Sequence, residues 1–174
     1  MRLSPADLGM LDKIDRFGWM VQVVAGDADH PPFAYTIGAA TKLSGLLPGE
    51  LLLVGFEDID EACRVLNWIV KRVAETERPL ELGLSDEVFA AGVPAHLGEV
   101  RAEFVIAEWF GAGMWFSRIF DAEAPYRAIQ VVWPTSSSRR FPWQIPLDDP
   151  SRDWVMKTQP LLCDSPNPSR LTGK

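Results

Sequence analysis

Phe33-Ala34-Tyr35-Thr36-Ile37-Gly38, FAYTIG, follows the loop segment DADHPP of residues 27–32, and its reading decides the fold. A period of two puts Phe33, Tyr35 and Ile37 on one face and Ala34, Thr36 and Gly38 on the other, the pattern of a strand. The large residues face a core. The other face is small and slightly polar, with room for a ligand, a helix or a neighbouring subunit. Upstream, WMVQVVAG (19–26) is rich in β-branched residues and reads as a second strand. The prolines between them remove backbone donors and fix φ, so DADHPP is a loop. A connection this short argues for antiparallel pairing.

Residues 4–17 read as a helix, with Ser4 as N-cap, Pro5 at the first helical position and Gly18 as the stop. ELLLVGF (50–56) is apolar on both faces, which suits a central strand. Asp58 caps a helix over 59–75 whose buried stripe is Ile59, Ala62, Leu66, Ile69 and Val73. Residues 76–98 read as irregular, with a short helix at 85–91, and 99–106 as a strand. Residues 107–120 are apolar nearly all round. They read as a buried helix despite Gly111 and Gly113, with a strand pair turning at GAG as the alternative. Residues 126–133 form a strand, 134–150 a turn-rich loop, and 164–174 a flexible tail behind a single domain of 1–163. The order predicts an α+β fold: a mostly antiparallel sheet, or a half-open, split-barrel-like barrel, flanked by helices.

The chain has 174 residues, 47% of them hydrophobic, which suits one domain with a sizeable core. Its net charge of −7 and lack of a basic face argue against nucleic acid as a partner. Neither a signal core nor a membrane-length apolar run is present, so a soluble, cytoplasmic protein is expected. The two cysteines, Cys63 and Cys163, lie far apart with no metal-ligand spacing, which fits reduced thiols.

Candidate chemistry is sparse. His30 and His96 are the only histidines, and zinc needs at least three protein ligands. The Asp27, Asp29 and His30 loop reads as a solvated turn, so no metal is expected. No GxSxG elbow, P-loop or GxGxxG occurs. Arg139 and Arg140 lie beside Phe141 and Trp143, a pairing that suits a planar anion, or simply a charged surface loop. Gln130 interrupts an apolar strand, so its amide lines a polar pocket or ties down a loop backbone.

Several segments together, GWMVQVV, PPFAYTIG, QVVWP, RRFPW and QPLL, occur in that order. The chain thereby resembles the domain of unknown function 4262 family, bacterial proteins with matching motifs, over roughly residues 12–162. The family's HPEL segment corresponds here to LLPGEL (46–51), without histidine, and its VWPD ends here in Thr135. The resemblance implies no particular reaction. The strand layout is also similar to the start of a flavin-reductase-type split barrel, an analogy at the level of fold. The resulting expectation is a small-ligand site for a planar anion such as a flavin or nucleotide. It lies in a cleft between the FAYTIG strand and the FPW loop and is lined by Tyr35, Thr36, Gly38, Gln130, Trp133, Arg140 and Trp143. The alternative is an interaction module, a homodimer joined through 109–120 and Trp143.

Overall fold

The computed structural model describes residues 3–89, 93–120 and 125–166. Helix α1 (Pro5–Phe17) leads into strands β1 (Met20–Val24) and β2 (Phe33–Ile37), the short helix α2 (Ala39–Lys42) and strand β3 (Glu50–Val54). Helix α3 (Ile59–Thr76), strands β4 (Gly83–Ser85) and β5 (Ala95–Glu99), helix α4 (Ala107–Phe120), strand β6 (Ala128–Val132) and helix α5 (Arg152–Thr158) follow. The six strands form an open sheet in the order β1-β2-β3-β6-β5-β4. All neighbours are antiparallel except β3 and β6. The fold is α+β, with an open sheet rather than a barrel.

Local chemistry explains the helix ends. Ser4 Oγ accepts from the Asp7 N–H while the Asp7 carboxylate accepts from the Ser4 N–H, a reciprocal cap. Asp58 Oδ1 accepts from the N–H groups of Asp60 and Glu61.

Helices cover both faces of the sheet. The small face of β2 meets a helix: Ala34 packs in one cluster with Leu51, Leu53, Ile129 and the α3 residues Leu66, Ile69 and Val73. Phe33, Tyr35 and Ile37 point the other way, into a second cluster with Met10 of α1 and Trp109, Phe110 and Phe116 of α4. Both faces of β2, β3 and β6 are therefore buried, which accounts for the unbroken apolar runs in β3 and β6.

Three details differ from the sequence reading, while the helix expected at 107–120 is present. The strand expected at 99–106 lies earlier, at Ala95–Glu99; Val100 makes one bridge to Cys163, and Ala102–Phe104 is a single 3₁₀ turn. Residues 95–98 read as irregular from sequence, and the long-range pairing with β6 makes them strand. Of the helix expected at 85–91, Ser85 belongs to β4, residues 86–89 bend without helical turns, and residues 90–91 lie outside the described residues. Ile59 is exposed in the first turn of α3, and Val70 takes its place in the buried stripe. Residues 107–120 are helical, with a kink at Phe110 (φ −131°, ψ 23°) just before the glycines. The tail beyond residue 166 lies outside the described residues.

Candidate functional site

The end of β2 and the start of β3 converge on one buried carboxyl group, that of Glu50. The register places Tyr35 opposite Leu52 in β3, and Glu50 opposite Ala128 in β6. Glu50 is 5% exposed. Its Oε2 accepts from Thr36 Oγ1 at 2.6 Å. Its Oε1 accepts from the N–H groups of Gly38 (2.9 Å) and Ala40 (3.2 Å). Thr36 Oγ1 in turn accepts from the Leu51 N–H at 2.8 Å, which leaves its own proton free to donate to the ionised Glu50. Gly38 adopts φ +86°, a conformation glycine reaches without a Cβ clash, and this aims its N–H at the carboxylate where the chain turns into α2.

Burial dominates the electrostatics. It pushes the Glu50 carboxyl up to about 7, against the opposing pull of Thr36 and of the main-chain donors at Gly38, Ala39 and Ala40. The group therefore titrates near neutrality.

Two tyrosines share this environment. Burial raises the Tyr35 hydroxyl, the backbone of Gly113 and Ala112 opposes that rise, and the Glu50 charge adds to it. Those two backbone groups lie just past the Phe110 kink, where a restarted helix has unsatisfied N–H groups. Burial also raises Tyr126 well above the usual phenol range, with Glu50 next in effect. The Tyr126 hydroxyl is buried and has no hydrogen-bond partner among the described residues. It lies against Gly113, where any Cβ would overlap it. Both tyrosine rings pack on Phe110, with centroids 5.5 and 5.4 Å away.

Glu50 forms part of the wall of a cavity of about 240 Å³. Leu47, Gly113 and Phe116 are buried around it, Tyr126 is half-buried, and Thr41, Ser44 and Arg127 stand exposed at the mouth. The Arg127 guanidinium is engaged elsewhere, its Nε donating to Glu99 at 2.7 Å. Chemically, the cavity offers a titratable carboxyl, an unpartnered phenol nearby and apolar walls.

The residues expected from sequence to line one cleft fall into three places. Thr36 and Gly38 bond to Glu50, and Tyr35 lies near enough to feel its charge. Gln130 spends its amide on the C-terminal segment: its Oε1 accepts from the N–H groups of Leu162 and Cys163, and its Nε2 donates to the Pro160 carbonyl. Trp133, Arg140 and Trp143 lie past the far end of β6. Because β3 and β6 run parallel, Thr36 and Gly38 sit beside the Ala128 end, and the FPW loop follows the Val132 end. Four residues of strand separate these ends, roughly 13 Å at about 3.3 Å per residue. Trp143 stacks on Phe141 (4.7 Å, 6°) and meets His96 edge-on, Trp133 meets Phe89, and Arg140 is exposed. The FAYTIG strand and the FPW loop therefore do not face each other across a cleft.

Other sequence candidates settle into structural roles. Asp27 Oδ1 accepts from the N–H groups of Asp29 and His30, which makes DADH a self-bonded turn. No group of three or more His, Cys, Asp or Glu residues able to hold a metal occurs among the described residues. Burial pushes the Cys163 thiol up to about 11. Trp109, Phe110 and Phe116 of the aromatic segment are core residues, leaving Ile119 and Phe120 as its exposed large hydrophobic side chains. No helix among the described residues is long and apolar enough to cross a membrane.

Glu50 itself escaped the sequence reading. Its signal was one charged residue opening an otherwise apolar strand, ELLLV, inside the 46–51 segment weighed only for a missing histidine.

A family model, domain of unknown function (DUF4262), matches residues 13–148, most of the chain, and the chain belongs to that family. No curated protein and no solved structure matches it.

Proposed function

We propose that this member of the DUF4262 family binds a small molecule in the cavity walled by Glu50, Phe116 and Tyr126. The observation that carries the reading is a carboxyl group, buried and titrating near neutrality, in the wall of a cavity of about 240 Å³. A buried charge is costly unless paired, and clefts holding perturbed titratable groups are where ligand chemistry concentrates. The expected ligand site at the FAYTIG strand is kept. Its opposite wall becomes α4 and the residues leading into β6, rather than the FPW loop. The volume is below the roughly 300–1,000 Å³ of drug-sized sites, which favours a ligand smaller than a flavin or nucleotide.

Saturation-transfer NMR with a library of fragments of up to about ten non-hydrogen atoms tests this, set against the ligand sizes usual for such volumes. Fragments that bind the native protein should lose their signal in Ser117→Trp, which fills the cavity from its α4 side, and keep it in Arg140→Ala. Binding that survives the filled cavity, or an absence of hits on the native protein, overturns the reading.

A further inference from the structure

The hydrogen bonds around Glu50 define what the cavity lacks. The carboxyl faces donors: Thr36 Oγ1, Gly38 N and Ala40 N at hydrogen-bond distance, with the Ala39 N–H close by. The main-chain donors favour the ionised form, while Thr36 Oγ1, a hydroxyl with a second lone pair, can turn to accept the proton of the neutral acid. Oε1 has two donors on its two lone pairs. Oε2 has one, which leaves a position open.

Among the described residues, the charge on Glu50 is also unbalanced. The titratable groups around it are Tyr35 from β2 and Tyr126 ahead of β6, both neutral in this environment, and Arg127 at the mouth. Arg127 already pairs with Glu99. The α2 and α4 walls contribute Thr41, Ser44, Phe116 and Ser117, none of them ionisable near neutrality. A buried carboxylate without a positive partner is the state that a cationic N–H donor relieves, by filling the open lone pair and pairing the charge in one contact. Aromatic walls from Phe116 and Tyr126 suit a cation as well.

We propose that the cavity takes a small organic cation, an alkylammonium or alkylguanidinium, with its N–H donated to the open position on Glu50 Oε2. This rests on the cavity being a ligand site. The ligand takes the place that the Glu50 proton otherwise occupies, so binding and protonation compete. Affinity then rises with pH until Glu50 is fully ionised.

The probes are methylguanidinium, its uncharged isostere methylurea, and acetate, measured by calorimetry on the native protein at pH 6 and pH 8. With Glu50 titrating at about 7, methylguanidinium should bind about tenfold more tightly at pH 8, because the ionised fraction is about 0.9 there and about 0.1 at pH 6. Repeating the pH 6 titration in buffers of different ionisation enthalpy should show about 0.9 proton released per ligand, by the same linkage. Glu50→Gln, checked for folding by circular dichroism, should lose methylguanidinium binding. The native-protein pH dependence and proton count stand as the test should that variant not fold.

Equal or tighter binding of methylurea or acetate, or cation binding with no proton release at pH 6, overturns the cationic class. If neutral fragments bind in the cavity and the cation does not, the class fails and the ligand site survives. If no fragment binds at all, both fall together.

Discussion

Replacing Glu50 by glutamine makes the cost of that buried carboxylate measurable as stability against pH. The folded-state value is raised from 4.5 to about 7, with burial as the cause. Below pH 4.5 the carboxyl is protonated in both folded and unfolded chains and adds no pH dependence. Between 4.5 and 7 the unfolded chain gives up its proton while the folded chain holds on, so stability falls as pH rises. The slope is about 1.4 kcal/mol per pH unit. Over 2.5 units (7 − 4.5) the loss approaches about 3 kcal/mol. Above pH 7 both states are ionised and the loss is complete. The glutamine side chain of the variant does not titrate. The difference in unfolding free energy, native minus Glu50→Gln, should therefore drop by about 3 kcal/mol between pH 4.5 and 8, most steeply between 5 and 7. Urea denaturation of both proteins at half-unit pH steps gives that difference directly. A difference that stays flat, or that grows with pH, would refute the claim that burial outweighs Thr36 and the main-chain donors.

Three further outcomes follow from the same packing. Tyr126→Phe removes a buried hydroxyl without a partner, so stability should hold or rise by up to about 1 kcal/mol in thermal or urea unfolding. Gly113→Ala puts a methyl group against that hydroxyl and should cost about 1–3 kcal/mol; in Tyr126→Phe the same change should cost less, and a double-mutant cycle reads the coupling. Gln130→Leu orphans the Leu162 and Cys163 N–H groups and the Pro160 carbonyl, so it should cost at least about 2 kcal/mol and open the chain after residue 159 to proteolysis.

Residues whose role is set by local chemistry were legible in the sequence. Ser4 and Asp58 are read as caps because the cap bonds lie within three residues. FAYTIG is read as a strand because alternation is a local pattern, and the small Ala34 face does meet a partner layer, α3. What stayed hidden depends on which distant segments meet. Thr36 and Gly38 were singled out as polar or small, but their shared partner, Glu50, is brought to them only by the β2–β3 pairing. Arg140 and Trp143 looked like neighbours of that strand until the parallel β3–β6 pairing placed them beyond the opposite end of the sheet. Gln130 carried a true signal, a buried amide needing partners, without saying that the partners are the backbone of residues 160–163. Gly113 looked like a weak point in a helix, and its reason is the Tyr126 hydroxyl packed where a side chain would begin.

The Glu50 carboxyl carbon can be followed by carbon-13 NMR across pH 4–9, with and without methylguanidinium. The expected midpoint is near 7 in the free protein and at least one unit lower with the cation near saturation, as competition for one site requires. A midpoint near 4.5 in the free protein, or one near 7 that the cation does not move, contradicts a buried carboxylate held ready for a cation.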